Sequence, residues 1–188
     1  MKASLIYLVG ASGSGKDSLM TYARTALRAE SGVAFAHRYI TRAADAGGEN
    51  HVALTPEEFE SRRSAGLLAM DWSSHGYAYG IGIEINQWLA KGVTVVVNGS
   101  RDYLDVAARR YPELLPVWIA VSPAVLRARL HARGRESAAE IEARLARSPR
   151  QPRLLPRGET LHNDGELEAA GQALVALIRR YSGVALCV

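Results

Sequence analysis

Leu5-Ile6-Tyr7-Leu8-Val9-Gly10-Ala11-Ser12-Gly13-Ser14-Gly15-Lys16 is the stretch on which the reading of this chain turns. The apolar run from Leu5 to Val9 reads as a buried strand. Beyond it Leu19, Met20, Ala23, Ala26 and Leu27 recur at helical spacing, so Gly10-x-x-x-x-Gly15-Lys16 falls between a strand and a helix. Glycines there free the backbone to aim successive N–H groups inward, and the helix N-terminus adds positive potential. Lys16 adds a mobile charge, and together these suit a bound phosphate. Gly10, Ala11, Ser12, Gly13, Ser14, Gly15, Lys16, Asp17 and Ser18 are accordingly assigned to the phosphates of a nucleotide.

Outward from this loop, strands and helices alternate. Val93 to Val97 and Leu115 to Val121 are continuous runs rich in branched apolar residues, as expected of strands buried on both faces of a parallel sheet. Helices are expected at Leu104 to Arg110, Ala124 to Ala132, Glu136 to Arg147 and Glu166 to Tyr181, with a short last strand at Leu161 to Asn163. Thr55-Pro56-Glu57-Glu58 carries a capping box with proline in the first turn, which opens another helix anchored by Phe59. Residues 33–55 read as a polar excursion, Leu67 to Tyr79 as an irregular aromatic stretch, and Ile81 to Ala90 as a helix. Arg147 to Glu159, with its prolines and arginines, reads as a basic connector. The fold expected is α/β, a doubly wound parallel sheet flanked by helices, with function at the carboxyl ends of the strands.

A length of 188 residues suits one domain, and 48% hydrophobic with 22% charged residues suits a folded chain rather than a disordered one. No apolar run approaches the roughly 20 residues of a membrane helix. Leu5 to Val9 is too short for a signal-peptide core, so a cytoplasmic protein is expected. The one cysteine, Cys187, excludes an intramolecular disulfide and a multi-cysteine metal site. Of 23 basic residues only Lys2, Lys16 and Lys91 are lysines; the rest are arginines, whose planar forks suit phosphate. They are dispersed and not interleaved with aromatics, which favours small polyanions over nucleic acid as partners.

Two positions depart from the usual phosphate-loop pattern. The residue after the lysine, normally a Ser or Thr that ligates magnesium, is Asp17, and the strand ending at Asn98 lacks the aspartate that helps hold the metal. Read together, Asp17 supplies the carboxylate missing at Asn98 and becomes the candidate magnesium ligand. The alternative is a first-turn acid favoured by the helix dipole.

With these motifs in hand, the chain resembles the guanylate-kinase-like P-loop kinases over essentially its whole length. Among them it is most similar to those that phosphorylate ribose 1,5-bisphosphate in phosphonate catabolism. The stretches that carry this are 10–18, His37 to Arg42, Glu49-Asn50-His51, Val95 to Arg101, Arg133 to Glu136 and Asn163-Asp164-Gly165. The resemblance implies a P-loop NTPase core (1–33, 91–130, 148–188), a small acceptor-binding lobe at about 34–90 and an arginine-bearing lid at about 131–147. ATP and Mg2+ are the implied cofactors, and a sugar bisphosphate is the implied acceptor. Arg42 and Tyr79 then match acceptor-phosphate residues, Glu49 and Asp71 acidic residues near the acceptor, and His51 a position held by tyrosine. Arg133 and Arg144 match lid arginines that clamp the transferring phosphoryl group alongside Lys16, with Arg135 a third. Asn163 matches the segment near the adenine.

Guanylate kinases have a serine where this chain has Arg38, an arginine where it has Asp45 and a base-reading aspartate where it has Ser100. Loss of base-reading groups and gain of an arginine suit an acceptor with no base and a second phosphate. Arg38, Asn98, Ser100 and Arg101 are therefore assigned to substrate with Arg42, Glu49, His51, Asp71 and Tyr79. The expected reaction forms 5-phospho-α-D-ribose 1-diphosphate and ADP. The alternatives are a nucleoside monophosphate kinase and a non-catalytic module that binds phosphorylated partners.

Overall fold

Strand β1 (Leu5–Gly10) is buried along its whole length, and its side chains alternate between two cores. Ile6 and Leu8 face one, Leu5, Tyr7 and Val9 the other, the period-2 geometry of a strand covered on both faces. The computed structural model describes residues 4–46, 49–134, 137–147 and 157–182. Cys187 and Arg135, as well as residues 148–156 of the basic connector, lie outside the described residues.

After β1 come α1 (Lys16–Ala26), β2 (Val33–Phe35), β3 (Arg38–Ile40), β4 (Val52–Ala53), α2 (Pro56–Ser64), β5 (Leu68–Ser74), β6 (Tyr77–Gly82) and α3 (Glu84–Ala90). The second half holds β7 (Thr94–Asn98), α4 (Leu104–Arg110), β8 (Leu115–Ala120), α5 (Pro123–Arg133), α6 (Ala138–Arg147), β9 (Glu159–His162) and α7 (Leu167–Ser182). The central sheet runs β2-β7-β1-β8-β9 with every pair parallel, and a second sheet runs β4-β3-β6-β5. Strand β1 is flanked by β7 on one side and β8 on the other, with the earlier β2 beyond β7 and the later β9 beyond β8, so the strand order reverses direction at β1. A crevice therefore opens above the carboxyl ends of these strands.

Helices α1 and α7 close one face of the central sheet through Leu19, Met20, Ala23, Leu174, Val175 and Ile178. The other face packs Tyr7, Val95, Val97 and Trp118 against Ile85 of α3, Leu104 and Ala107 of α4, and Ala69, Met70 and Ile81 of the second sheet. The second sheet is thus welded to the first by a shared apolar layer. A third, smaller cluster, Leu126, Leu130 and Ile141, joins α5 to α6 and reaches Ala11 of the phosphate loop.

The α/β architecture and the parallel core match the sequence expectation, and three local expectations are corrected. The stretch from Leu67 to Tyr79 is an antiparallel hairpin. His75 and Gly76 both take positive φ (49° and 78°), forming a two-residue turn that matches the right-handed twist of β5 and β6. Because β6 continues through Ile81 and Gly82, the helix expected from Ile81 begins at Glu84. The helix expected from Glu136 begins at Ala138, where Ser137 and Glu140 form a reciprocal cap: Ser137 N donates to Glu140 Oε2 at 2.8 Å and Glu140 N to Ser137 Oγ at 3.3 Å. The capping box at Thr55 and Glu58 stands as expected, with reciprocal bonds of 2.8 and 3.1 Å.

Candidate active site

The loop from Gly10 to Gly15 begins where β1 ends, and its glycines are demanded by contacts. A Cβ on Gly10 would stand 2.8 Å from Ser14 Oγ and 2.9 Å from the Ile119 carbonyl oxygen. Gly13 and Gly15 take φ of 91° and 86°, the left-handed region that side chains avoid. With Gly15 at the N-cap, no side chain caps α1, which leaves its first N–H groups to a ligand. Ser14 N donates to Ala11 O at 3.1 Å, and Asn163 Nδ2 donates to Ser14 O at 2.7 Å, so the segment after β9 buttresses the loop.

Lys16 Nζ donates to Gly10 O at 2.9 Å and to Ala11 O at 3.2 Å, folded back over the loop. Withdrawal of the ammonium from water lowers its pKa to about 8, against the pull of neighbouring Asp17. Asp164 does not line the cleft. Its carboxylate accepts from Ser122 N at 2.6 Å, a bond that lowers its pKa and ties the β8–α5 turn to the end of β9.

A cleft of about 700 Å³ opens above the strand ends. It brings together Gly10, Ser12, Gly13, Gly15, Lys16, Asp17, Ser18 and Asn163 on one side with Arg38, Arg42, Glu49, Tyr79, Ser100 and Arg101 on the other. Between the two groups runs a polar chain. Asn98 Nδ2 donates to Asp17 Oδ1 at 2.7 Å and to Glu49 Oε2 at 3.1 Å, and Arg38 binds both carboxylate oxygens of Glu49. The Arg38 guanidinium lies 5.0 Å over the Tyr79 ring, which stacks on Trp72 at 5.7 Å.

Several expected site residues take other places. Asp71 lies outside the cleft, 3.9 Å from Arg63 of α2, because strand alternation sends Trp72 and Ser74 to the cleft and Asp71 to the opposite face. His51 is buried behind it, with ring nitrogens 3.1 Å from the carbonyl oxygens of Glu49 and Arg42, where it braces the loop carrying them. Ala11 and Ser14 lie beneath the loop: Ala11 packs on the α5–α6 cluster, and Ser14 is buried. Arg133 and Arg144 fall on α5 and α6, and their side chains lie outside the described residues.

Ser74, His75, Asp102 and Arg129 line the cleft without having been singled out in the sequence. Arg129 stands one helical turn before Arg133, a spacing that could have marked it. For the others no local pattern exists.

A phosphate loop heading a parallel sheet, facing an arginine-lined wall across one cleft, defines a guanylate-kinase-like P-loop kinase. Guanylate kinase from Anaplasma phagocytophilum superposes with a TM-score of 0.66 at 17% identity, covering 98% of this chain and 88% of that one. A gluconokinase from Sinorhizobium meliloti 1021 gives 0.52 at 21%, covering 97% and 95%; both likenesses concern the fold alone. No protein-family model matches the chain. Its sequence is 58% identical over 176 residues to ribose 1,5-bisphosphate phosphokinase PhnN of Desulfomicrobium baculatum, covering 94% of each chain. It is 54% identical over 177 residues to the protein of that name from Thiobacillus denitrificans, covering 94% and 93%. The chain belongs to the ribose 1,5-bisphosphate phosphokinase family, and it is a phosphotransferase.

Proposed function

We propose that this protein transfers the γ-phosphoryl group of ATP to the 1-phosphate of α-D-ribose 1,5-bisphosphate. The phosphorus–oxygen bond to the ADP leaving group breaks, and a new one forms to an oxygen of the 1-phosphate. The products are 5-phospho-α-D-ribose 1-diphosphate and ADP. The observation that carries this reading is the acceptor wall, where Arg38, Arg42, Glu49 and Arg101 supply charge and Ser100 stands at the base-reading position. Such a wall suits a polyanionic sugar, and a serine stands where guanylate kinases carry the aspartate that reads the purine.

In this mechanism the loop N–H groups and Lys16 neutralise the donor phosphates, and Arg42 and Tyr79 hold the 1-phosphate in line with them. Glu49 accepts a hydrogen bond from a ribose hydroxyl. Arg133 and Arg144 are read as closing on the transferring group. Positioning and charge neutralisation are most of what phosphoryl transfer requires. No helix among the described residues is long and apolar enough to cross a membrane. The reading is of a cytoplasmic enzyme.

The donor set also fits magnesium. Asp17 offers a carboxylate beside the loop, and Asn98 Oδ1 is buried without a hydrogen-bond partner, both hard oxygen ligands. Asp17 and Asn98 would hold the ion, which supplies charge neutralisation to the donor phosphates. Asp17→Asn is expected to weaken magnesium binding in the presence of ADP by about tenfold, and Asp17→Ser by less. Equal affinity in all three proteins, measured by calorimetric titration, would show the carboxylate idle.

Lys16 gives a pH signature. Phosphate binds the ammonium form, so nucleotide binding raises the pKa from its value of about 8 in the free protein. Above about pH 8 ADP binding is expected to take up a proton, and its affinity to fall as pH rises. Calorimetry at pH 9 in buffers of different ionisation enthalpy reads this directly, since heats that do not depend on the buffer would exclude it.

The reaction itself is tested by phosphorus NMR with magnesium-ATP, offering ribose 1,5-bisphosphate and GMP in separate tubes. A new sugar diphosphate signal with GMP untouched is the expected result, and turnover of GMP alone overturns the reading.

A further inference from the structure

Four arginine side chains line the cleft among the described residues, and they are not equivalent in charge. Arg38 has its fork taken by Glu49, through Nε at 2.8 Å and through Nη2, and Arg42 Nη2 stands 4.0 Å from the same carboxylate. Arg101 and Arg129 meet no carboxylate among the described residues, and each has Nη1 buried with no hydrogen-bond partner. A buried guanidinium nitrogen left unpaired is costly, and an arriving oxyanion removes that cost. Arg129 lies on the donor side, its Nη1 3.7 Å from where a Cβ on Gly15 would stand, so it faces the nucleotide.

Arg101 lies on the other side, on the turn after β7. That turn is held from below by Tyr7 of β1: Ser100 N donates to Tyr7 Oη at 2.9 Å, and Tyr7 Oη donates to Ser100 O at 3.1 Å. Gly99 lies flat on the same ring, where a Cβ would come within 2.1 Å of Tyr7 Cζ. The backbone that aims Arg101 is therefore ordered on folding rather than on binding, which favours affinity.

We infer that Arg101, rather than Arg38, holds the 5-phosphate of the acceptor and so makes the enzyme select a sugar bisphosphate. Arg38 is then a positioning residue that fixes Glu49. This inference rests on the proposed acceptor being ribose 1,5-bisphosphate.

The test compares wild type, Arg101→Gln and Arg101→Lys with ribose 1,5-bisphosphate and magnesium-ATP, using ribose 5-phosphate and ribose 1-phosphate as competitive inhibitors. In Arg101→Gln the KM for the bisphosphate and the Ki of ribose 5-phosphate are expected to rise about 100-fold, while kcat stays within a few-fold and the Ki of ribose 1-phosphate within twofold. Arg101→Lys recovers part of the loss, and ADP affinity measured by calorimetry, unchanged from wild type, reports an intact fold. Equal shifts for both monophosphates, or a shift for neither, would overturn the inference. A wild type that leaves the bisphosphate unconverted overturns the proposed function instead, and the assignment of Arg101 with it.

Discussion

Lys16→Met is expected to lower kcat by about a thousandfold while ADP still binds. Methionine keeps the length and packing of the stem and removes only the charge. That charge sits at the loop mouth, bonded to Gly10 O and Ala11 O at 2.9 and 3.2 Å, and it is the one lysine lining the cleft among the described residues. The loop itself does not depend on it: the left-handed glycines and the bond from Asn163 to Ser14 O shape the cradle independently. Affinity for ADP should therefore fall only a few-fold, while stabilisation of charge developing in transfer is lost, an effect typically worth about 10² to 10³ for one preorganised donor. A coupled assay for ADP release alongside calorimetry separates the two. A variant with kcat within tenfold of wild type would show that the arginines suffice without Lys16.

Gly99→Ala is expected to damage stability and acceptor binding together. The added methyl would meet the Tyr7 ring at 2.1 Å from Cζ and 2.2 Å from Cε1. Tyr7 cannot retreat, because it is fully buried beside Val95, Val97 and Trp118, with its hydroxyl engaged twice by Ser100. Overpacking of this kind costs about 3 kcal/mol, and for a chain of this size that lowers Tm by roughly 6 to 12 °C. The same clash lifts the turn that aims Arg101, so KM for the acceptor should rise while ADP affinity holds. Adding Tyr7→Leu makes room, and the double variant should lose less stability than the two single losses together. Strict additivity in thermal melts would show that the ring is not what Gly99 meets.

What could be read from the chain alone divides by distance along it. The phosphate loop was legible because strand, glycine spacing and helix lie within one continuous segment and agree. The valines of β7 and the capping box at Thr55 were legible for the same reason. The β5–β6 hairpin was not: Leu68, Ala69 and Met70 are all buried, which erases the alternation, and the register shifts between Leu68 and Met70. Within the site, the expectation for Asp71 failed on strand parity, which a hairpin not recognised as such could not supply. Tyr7 could be read only as an apolar strand residue, since its partner Ser100 lies 93 positions away. Arg129 sits on α5 among Arg127, His131 and Arg133, a run of basic side chains in which nothing local says which one faces the cleft. In each case the missing information was tertiary, a face or a partner that no local pattern specifies.

The unequal attachment of the two cleft walls bears on how this enzyme can change over evolutionary time. The wall proposed to take the acceptor shares its residues with the layer that joins the two sheets: Trp72 lines the cleft while packing into that layer and against Tyr103, 5.6 Å away. A substitution that reshapes the acceptor pocket there also loosens the scaffold. The α5–α6 pair is held by a small cluster of its own and touches the phosphate loop through Ala11 and Gly13. Its outward faces are free to vary without such a penalty. Lineages of this protein should therefore diverge first in the helical cover and last in the wall proposed to hold the acceptor, so that acceptor choice is the conservative trait.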